Sequence, residues 1–516
     1  MADDRRIEAP TPGQGSGFVP PPTRRSLADE LESRDRRHRK VVIARRAVIG
    51  GVAALVVIGS VVYLTSLTWT GIHQSAVALA ILRIQIIGGM VPVVVNLLAG
   101  IAVLFLLIRR PTRGRIIAAG AGIGAGAIVA IAIVWILDAT NALSVPLGTA
   151  ATAWSIGGLA AIGLAIASFW TSRGWRIVGA AVSIVVVVVA ATIGVDTDFG
   201  LDPTVGALAG VSTEKVLKLA QVDPTPTAAS TPKLLAGGAL WANWLPSGPM
   251  QAVGSVGQVD IPNTVSGFNA RPAGLYLPPA ALVANPPALP LVIMMMGQPG
   301  NPDPDFQETA LDPLSARHNG LAPIVLVADQ IGNPATDPLC LNTPNYGNAE
   351  TYITQDVVGW ARTHLHVLQD AAHWTIAGYS NGGECAVSFG AKYPAIWGNV
   401  LDISGEKYPG SQNPSATLAK VFHGDSAAYQ ATWPINLLAK DVYPDTVGIF
   451  TVSSNDYGYL QAAKDVNAAA QAAGWTTTYF EVPNGGHVLG ALNGGLQEGY
   501  SILYPRLGLS QPGTVP

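Results

Sequence analysis

Apolar and polar positions divide this chain into two stretches with different rhythms. Between residues 47 and 195 the apolar runs are long and uninterrupted. Five of them, at 47–66, 86–108, 116–137, 150–170 and 177–195, come near the ~20 residues that a helix needs to cross the core of a bilayer. Soluble helices carry a charged face, whereas Ile184–Ala191 is isoleucine, a run of valine and then alanine, with nothing polar to meet water. From about residue 236 the runs become short and bounded by turns. Strands are expected at Leu289–Met296, Ile324–Ala328, Trp374–Ala377, Val400–Ile403, Val447–Val452 and Thr476–Val482. Helical patterns fall between or after them, at Glu350–Leu365, Gly383–Lys392, Tyr459–Ala473 and Leu489–Tyr504. Near-continuous apolar strands alternating with helices imply a mostly parallel sheet covered on both faces, with one or two antiparallel edge strands expected from 240–280.

The charges between the long runs set an expected orientation. Arg109, Arg110, Arg113 and Arg115 fill one connection and Arg173 and Arg176 another, while 67–85 and 138–149 together hold a single basic residue, Arg83. Basic clusters therefore share a side with the Arg-rich tail, which the positive-inside rule makes cytoplasmic. Five spans then place everything after residue 195 outside. A cleaved signal peptide fits the first run poorly, because it is long, far from residue 1 and followed by further spans. The run Gly120–Gly126 reads as a surface for close helix packing rather than a phosphate loop. Paired intramembrane charges and broken-helix repeats, the marks of a transporter, are not evident in the pattern.

Composition sharpens this picture. The 516 residues are 49% hydrophobic and 12% charged, about half the ~25% charge of a typical soluble chain. The net charge of −3 conceals a split: 18 basic against 8 acidic residues before 196, and 12 against 25 after it. An acidic exported half argues against nucleic acid as its ligand. The expected organisation is a disordered basic cytoplasmic tail at 1–40, a membrane domain at 41–195 and a Pro/Thr-rich linker at 196–235. An extracytoplasmic domain at 236–516 completes it. Both cysteines, Cys340 and Cys385, lie in that last part. An even count in an exported domain favours a disulfide over a zinc cage, with two buried thiols as the alternative. No metal or cofactor is called for.

The candidate chemistry centres on Gly378-Tyr379-Ser380-Asn381-Gly382, a G-x-S-x-G between an expected strand and an expected helix. Such an elbow presents the serine hydroxyl at the C-terminal edge of a sheet. A hydroxyl needs a base to take its proton. Of the eight histidines, only His423 and His487 follow the elbow. His487, in the loop after Thr476–Val482, is the expected base, and His423 has no strand before it. The loop after Val447–Val452 supplies Asp456 as the expected acid, with Asp445 and Asp425 as fallbacks. Backbone N–H groups of Asn381 and of Gly297 or Gln298 are expected to form an oxyanion hole, since Pro299 cannot donate.

The C-terminal half resembles the esterase-D-like α/β-hydrolases of actinobacteria, the superfamily that includes the mycolyltransferases. The resemblance spans about 285–505. It rests on the Gly378–Gly382 elbow with Gly383-Glu384-Cys385-Ala386, on Asp337-Pro338-Leu339-Cys340, on His423-Gly424-Asp425 and on Asn484-Gly485-Gly486-His487. It implies an α/β-hydrolase fold behind a multi-span helical anchor, and an ester hydrolase or acyltransferase with Ser380, Asp456 and His487 as its triad. It also implies a Cys340–Cys385 bond. The expected partners are the lipid bilayer and an ester, acyl-lipid or glycolipid substrate. Three features depart from the mycolyltransferases: their acid is typically glutamate, they lack a multi-span anchor, and an apolar residue commonly stands where this chain has Asn381. The alternative class is a non-catalytic receptor or scaffold on the same fold, for which a broken triad is expected.

Overall fold

The structure, a computed structural model, describes residues 76–139, 147–217 apart from 201, 209–212 and 214, and 239–513 apart from 247, 299 and 335. The expected tail at 1–40, the expected first span at 47–66 and most of the expected linker lie outside the described residues. Among the described residues, four helices are long and apolar enough to cross a membrane: α1 (Met90–Leu107), α2 (Arg113–Ala139), α3 (Thr149–Thr171) and α4 (Trp175–Phe199). The shortest has 18 residues and the longest 27, or roughly 27 to 40 Å at 1.5 Å per residue. Their outward faces carry Leu97, Ile117, Ile128, Trp135 and Val178 fully in the open. An exposed apolar surface of this extent is foreign to a water-soluble protein.

Gly122 of α2 meets Gly163 of α3 so closely that a Cβ on either would run into the other's backbone carbonyl. Four residues on, Gly126 meets the Leu159 backbone in the same way. Small residues four apart let two helices pack on their backbones. The glycine run therefore serves helix packing. Helix α4 continues past residue 195, where the linker was expected to begin, and stops at Phe199 with Gly200 in the left-handed region at φ 71°. The chain then ties back to the segment before α1 through Ile86 N–H to the Pro203 carbonyl (2.9 Å) and Val205 N–H to the Ile84 carbonyl (3.1 Å).

The second body is an eight-stranded sheet. Its strands are β1 (Ser255–Val259), β2 (Ala273–Leu277), β3 (Leu291–Met295), β4 (Ile324–Ala328), β5 (Trp374–Tyr379), β6 (Asn399–Ile403), β7 (Val447–Ser453) and β8 (Thr476–Val482). The spatial order is β1-β2-β4-β3-β5-β6-β7-β8. β1 and β2 are the antiparallel edge expected from 240–280, and every pair from β4 to β8 is parallel. Strands β3 to β6 are buried along their whole length, as strands covered on both sides must be.

Helices α5 (Asp305–Arg317), α6 (Asn381–Lys392), α7 (Leu460–Ala472) and α8 (Leu489–Arg506) provide that cover. Alternation along β6 shows the two faces: Val400 packs on Gly390 of α6, while Leu401 and Ile403 pack on Gly499 and Gly495 of α8. The expected helix at Glu350–Leu365 runs from 349 to 364 and is π-wound over Tyr352–Val357. This is an α/β-hydrolase fold preceded by a bundle of apolar helices.

Candidate active site

Between β5 and α6 the chain reverses within one residue. Ser380 is held at φ 55°, ψ −118°, a conformation that costs an L-residue energy and persists where surroundings over-determine it. Here they do. A Cβ on Gly378 would strike the Gly382 carbonyl, and one on Gly382 would strike the Met295 carbonyl, so the turn closes only with glycine at both places. Ser380 donates its N–H to the Ile403 carbonyl (2.9 Å), and its own carbonyl accepts from Gly383 N–H (2.9 Å).

Two strands away, β7 ends at Ser453 and the chain turns so that Asp456 N–H reaches the Ser453 carbonyl (3.0 Å). The next strand, β8, ends at Val482, and the loop beyond it carries His487. His487 Nδ1 lies 2.7 Å from Asp456 Oδ2, and its Nε2 lies 2.8 Å from Ser380 Oγ. Asp456 is buried, which lets a carboxylate act on the imidazole without competition from water. Three residues spread over 107 positions thus meet in one hydrogen-bonded line.

The other named residues fall as follows. Asn381 is the first residue of α6, and Gly297 lies against the elbow, where a Cβ would come within 3.0 Å of Ser380 Cβ. Gln298 follows it and donates its side-chain amide to the Pro334 carbonyl (3.3 Å). The Asn381 amide turns into the fold: its Nδ2 donates to Asp337 (3.1 Å) and its Oδ1 accepts from Gln330 (3.2 Å). His423 sits on an exposed turn at φ 52°. Asp425 caps the short helix Ser426–Gln430, accepting from Ala427 and Ala428 N–H, and Asp445 is exposed. Cys340 and Cys385 are bonded, with Cα atoms 5.5 Å apart. The bond pins the 330–349 loop to the first turns of α6 and removes the alternative of free thiols. Among the described residues, no group of three or more His, Cys, Asp or Glu is placed to hold a metal ion.

Several further residues were given no role of their own by their place in the sequence. Tyr459 stacks on His487 with ring centroids 3.8 Å apart, and its hydroxyl accepts from Gln412 Nε2 (3.4 Å). Burial and the nearby carboxylates of Glu406 and Asp456 push that phenol far up, so it stays protonated. Tyr379 lies against the same imidazole at 5.3 Å. Behind the elbow lie the buried carboxyls of Glu384 and Glu406 and the half-buried one of Asp337. Burial raises Asp337, against the N–H groups of Leu339 and Asn381, and burial drives Glu384 well up. Glu406 is pushed up to about 8, by burial first and then by Asp337. On the other flank, Arg271 forks onto buried Asp329 (2.8 and 3.1 Å) and reaches the Gly300 carbonyl and Asn301 Oδ1 (both 2.8 Å). It braces the loop that carries Gly297.

No family model matches the chain. An uncharacterized protein of Corynebacterium glutamicum is 33% identical over 249 residues, which are 46% of this chain and 58% of that protein. The chain therefore spans less than two-thirds of this curated relative. Similar solved structures include a ferulic acid esterase at 15% identity and TM-score 0.41, covering 49% of this chain and 99% of its own. An S-formylglutathione hydrolase from Agrobacterium tumefaciens gives 14% and 0.42, covering 51% and 99%. A fluorophosphonate-binding serine hydrolase of Staphylococcus aureus gives 12% and 0.40, covering 50% and 100%.

Proposed function

We propose that this chain is a membrane-anchored serine esterase or acyltransferase. The observation that carries the reading is the line Ser380 Oγ–His487–Asp456, with separations of 2.8 and 2.7 Å, at the C-terminal edge of a parallel sheet. His487 takes the hydroxyl proton as Oγ attacks an ester carbonyl. Asp456 fixes the tautomer that leaves Nε2 free to accept and stabilises the imidazolium. The carbonyl oxygen becomes an oxyanion facing the backbone N–H of Asn381 at the start of α6 and those of Gly297 or Gln298. His487 then protonates the departing alcohol, leaving an acyl-enzyme. Water or a sugar hydroxyl resolves it, the latter giving an acyl transfer of the mycolyltransferase type.

Basic residues at both ends of the α1–α2 and α3–α4 connections support a catalytic domain outside the cytoplasm, with the N-terminus inside. A reporter that works only in the cytoplasm, fused after Pro516, should be silent. For the chemistry, full-length protein should be labelled by a fluorophosphonate at Ser380. Ser380→Ala and His487→Ala should each lose about 10³-fold or more in ester turnover, and His423→Ala should retain it. Normal turnover by Ser380→Ala would leave the non-catalytic receptor as the better reading.

A further inference from the structure

Ser380 and His487 open on a cavity of about 1310 Å³, larger than the roughly 300–1,000 Å³ of small-molecule pockets. Its wall comes from both bodies of the protein. On α4 it is lined by Val188, Ala191, Val195 and Phe199, which share one helical face. On α3 it is lined by Ser155, Leu159 and Ile162, and on α2 by Ala130 and Ile133. The C-terminal end of α4 and the N-terminal end of α3 meet on the side of the hydrolase domain, where Ala151 N–H donates to Asp198 (3.0 Å). From Phe199 down to Val188 is 11 residues of helix, or about 16 Å. That is close to one leaflet of a ~30 Å hydrocarbon core. The cavity therefore begins at the nucleophile and descends into the bundle by about the depth of a leaflet.

Polarity along this path is segregated. The charged and amide side chains in the lining, among them Asp196, Asp202, Asn269, Arg271 and Asn301, all lie at the end of α4 or beyond it. Below them the helices present aliphatic side chains apart from Thr192 and Ser155, whose hydroxyl donates to the Ala151 carbonyl of its own helix (2.8 Å). The two bodies are joined at this level: Gly200 abuts Leu489 of α8, and Asn301 Nδ2 donates to the Ala207 carbonyl (3.2 Å). Polar above, apolar below and a nucleophile at the junction is the profile of an amphiphile whose ester joins a polar head to a long chain. Asn381, whose side chain is turned away, does not intrude on this path.

We infer that the helices are half of the substrate site, and that a lipid ester of the bilayer enters between α2, α3 and α4 with its acyl chain lying along them and its carbonyl at Ser380. This rests on the serine-hydrolase reading and deepens it, giving the bundle a role besides anchoring. Ser380 Oγ bonds to the acyl carbon, the bond from that carbon to the lipid's alcohol oxygen breaks, and His487 delivers the proton to that oxygen. The chain stays on Ser380, lying in the bundle, until a hydroxyl or water takes the acyl group and returns the proton to Ser380.

The test uses full-length protein in phosphatidylcholine nanodiscs and a hexadecyl fluorophosphonate with a photoreactive diazirine near the end of its tail. Reaction at Ser380 displaces fluoride and fixes the head, and light then marks what the tail touches. Cross-links in 155–162 or 188–199 are expected. Attachment at Ser380 with cross-links confined to the surface of the hydrolase domain would overturn the lipid path and spare the serine-hydrolase reading. Lack of attachment would overturn both. A second arm follows hydrolysis of palmitoyl and acetyl esters of one fluorescent alcohol by Val188→Trp and Ile162→Trp. The ratio of palmitoyl to acetyl turnover should fall about tenfold or more, as filling the chain site removes binding that only the long substrate uses. An unchanged ratio in folded variants would refute it.

Discussion

The ring of Tyr459 lies on the imidazole of His487, 3.8 Å between centroids and 21° from parallel. Its hydroxyl accepts from Gln412 Nε2 (3.4 Å), which also donates to Glu406 (2.8 Å). The ring therefore holds the imidazole at the angle that meets Ser380. Tyr459→Phe keeps the stack, so kcat on a short-chain ester should stay within about twofold of the wild type. Tyr459→Ala removes the ring and should lower kcat by about tenfold with KM little changed. Steady-state kinetics separate these, and an Ala variant with full kcat would show that the stack takes no part.

Arg271 predicts a second effect, on the loop opposite the elbow. Its guanidinium holds the Gly300 carbonyl and Asn301 while paired with Asp329, which is 1% exposed. Breaking a buried pair from one side strands the other charge, at about 3 kcal/mol or more. Arg271→Ala should lower the melting temperature. At temperatures where it is still folded, it should also lower kcat, because the N–H groups near Gly297 lose their register. Arg271→Lys keeps charge without the fork and should recover stability only in part. Unaltered kcat in folded Arg271→Ala would separate this brace from the catalytic geometry.

The Cys340–Cys385 bond closes a separation of 45 residues, for which the chain-entropy relation gives about 4 kcal/mol. It also holds Leu339 and Cys340 at φ 62° and 49°, next to the Asp337 carboxyl that receives Asn381. Unreduced protein should show no alkylatable thiol. The Cys340→Ala/Cys385→Ala double variant should melt well below the wild type and hydrolyse esters more slowly even when folded. Equal melting temperatures would show that packing alone holds the 330–349 loop.

What could be read in advance follows from the range of each interaction. Strands β3 to β8 announce themselves because each is a short apolar run between turns, and the expected Ile324–Ala328 and Thr476–Val482 coincide with β4 and β8. Ser380, Asp456 and His487 could be named as candidates because the loops after the parallel strands β5, β7 and β8 emerge at one edge of the sheet. Tyr459 could not. In the chain it is the residue before a helix, and its tie to His487 crosses 28 positions through a contact that leaves no local pattern. Arg271 and Asp329 are 58 residues apart in unremarkable surroundings. The cavity is less visible still, since α3 and α4 read as uniformly apolar helices and nothing in their composition tells which face meets a serine almost 200 residues later.

Glu406 gives a prediction in pH. The carboxyl is buried behind Ser380, accepts from Ser411 (3.1 Å) and Gln412 (2.8 Å), and is pushed up to about 8 from an ordinary 4.5 by burial and by Asp337. Because the folded state binds this proton more tightly than the unfolded chain, its contribution to stability is full below pH 4.5. It is lost as pH rises towards and through about 8. Asp337, raised for the same reason, acts in the same direction. The melting temperature of the hydrolase domain in full-length protein should therefore decline between about pH 4.5 and 8 and level off above that, each kcal/mol being worth roughly 2–4 °C. Glu406→Gln stays neutral and its amide oxygen can still accept from Ser411, so its decline should be shallower and its melting temperature at pH 9 higher than the wild type's. Parallel curves for the two proteins across this range would mean that Glu406 ionises in the folded state without cost, and that the slope belongs to other groups.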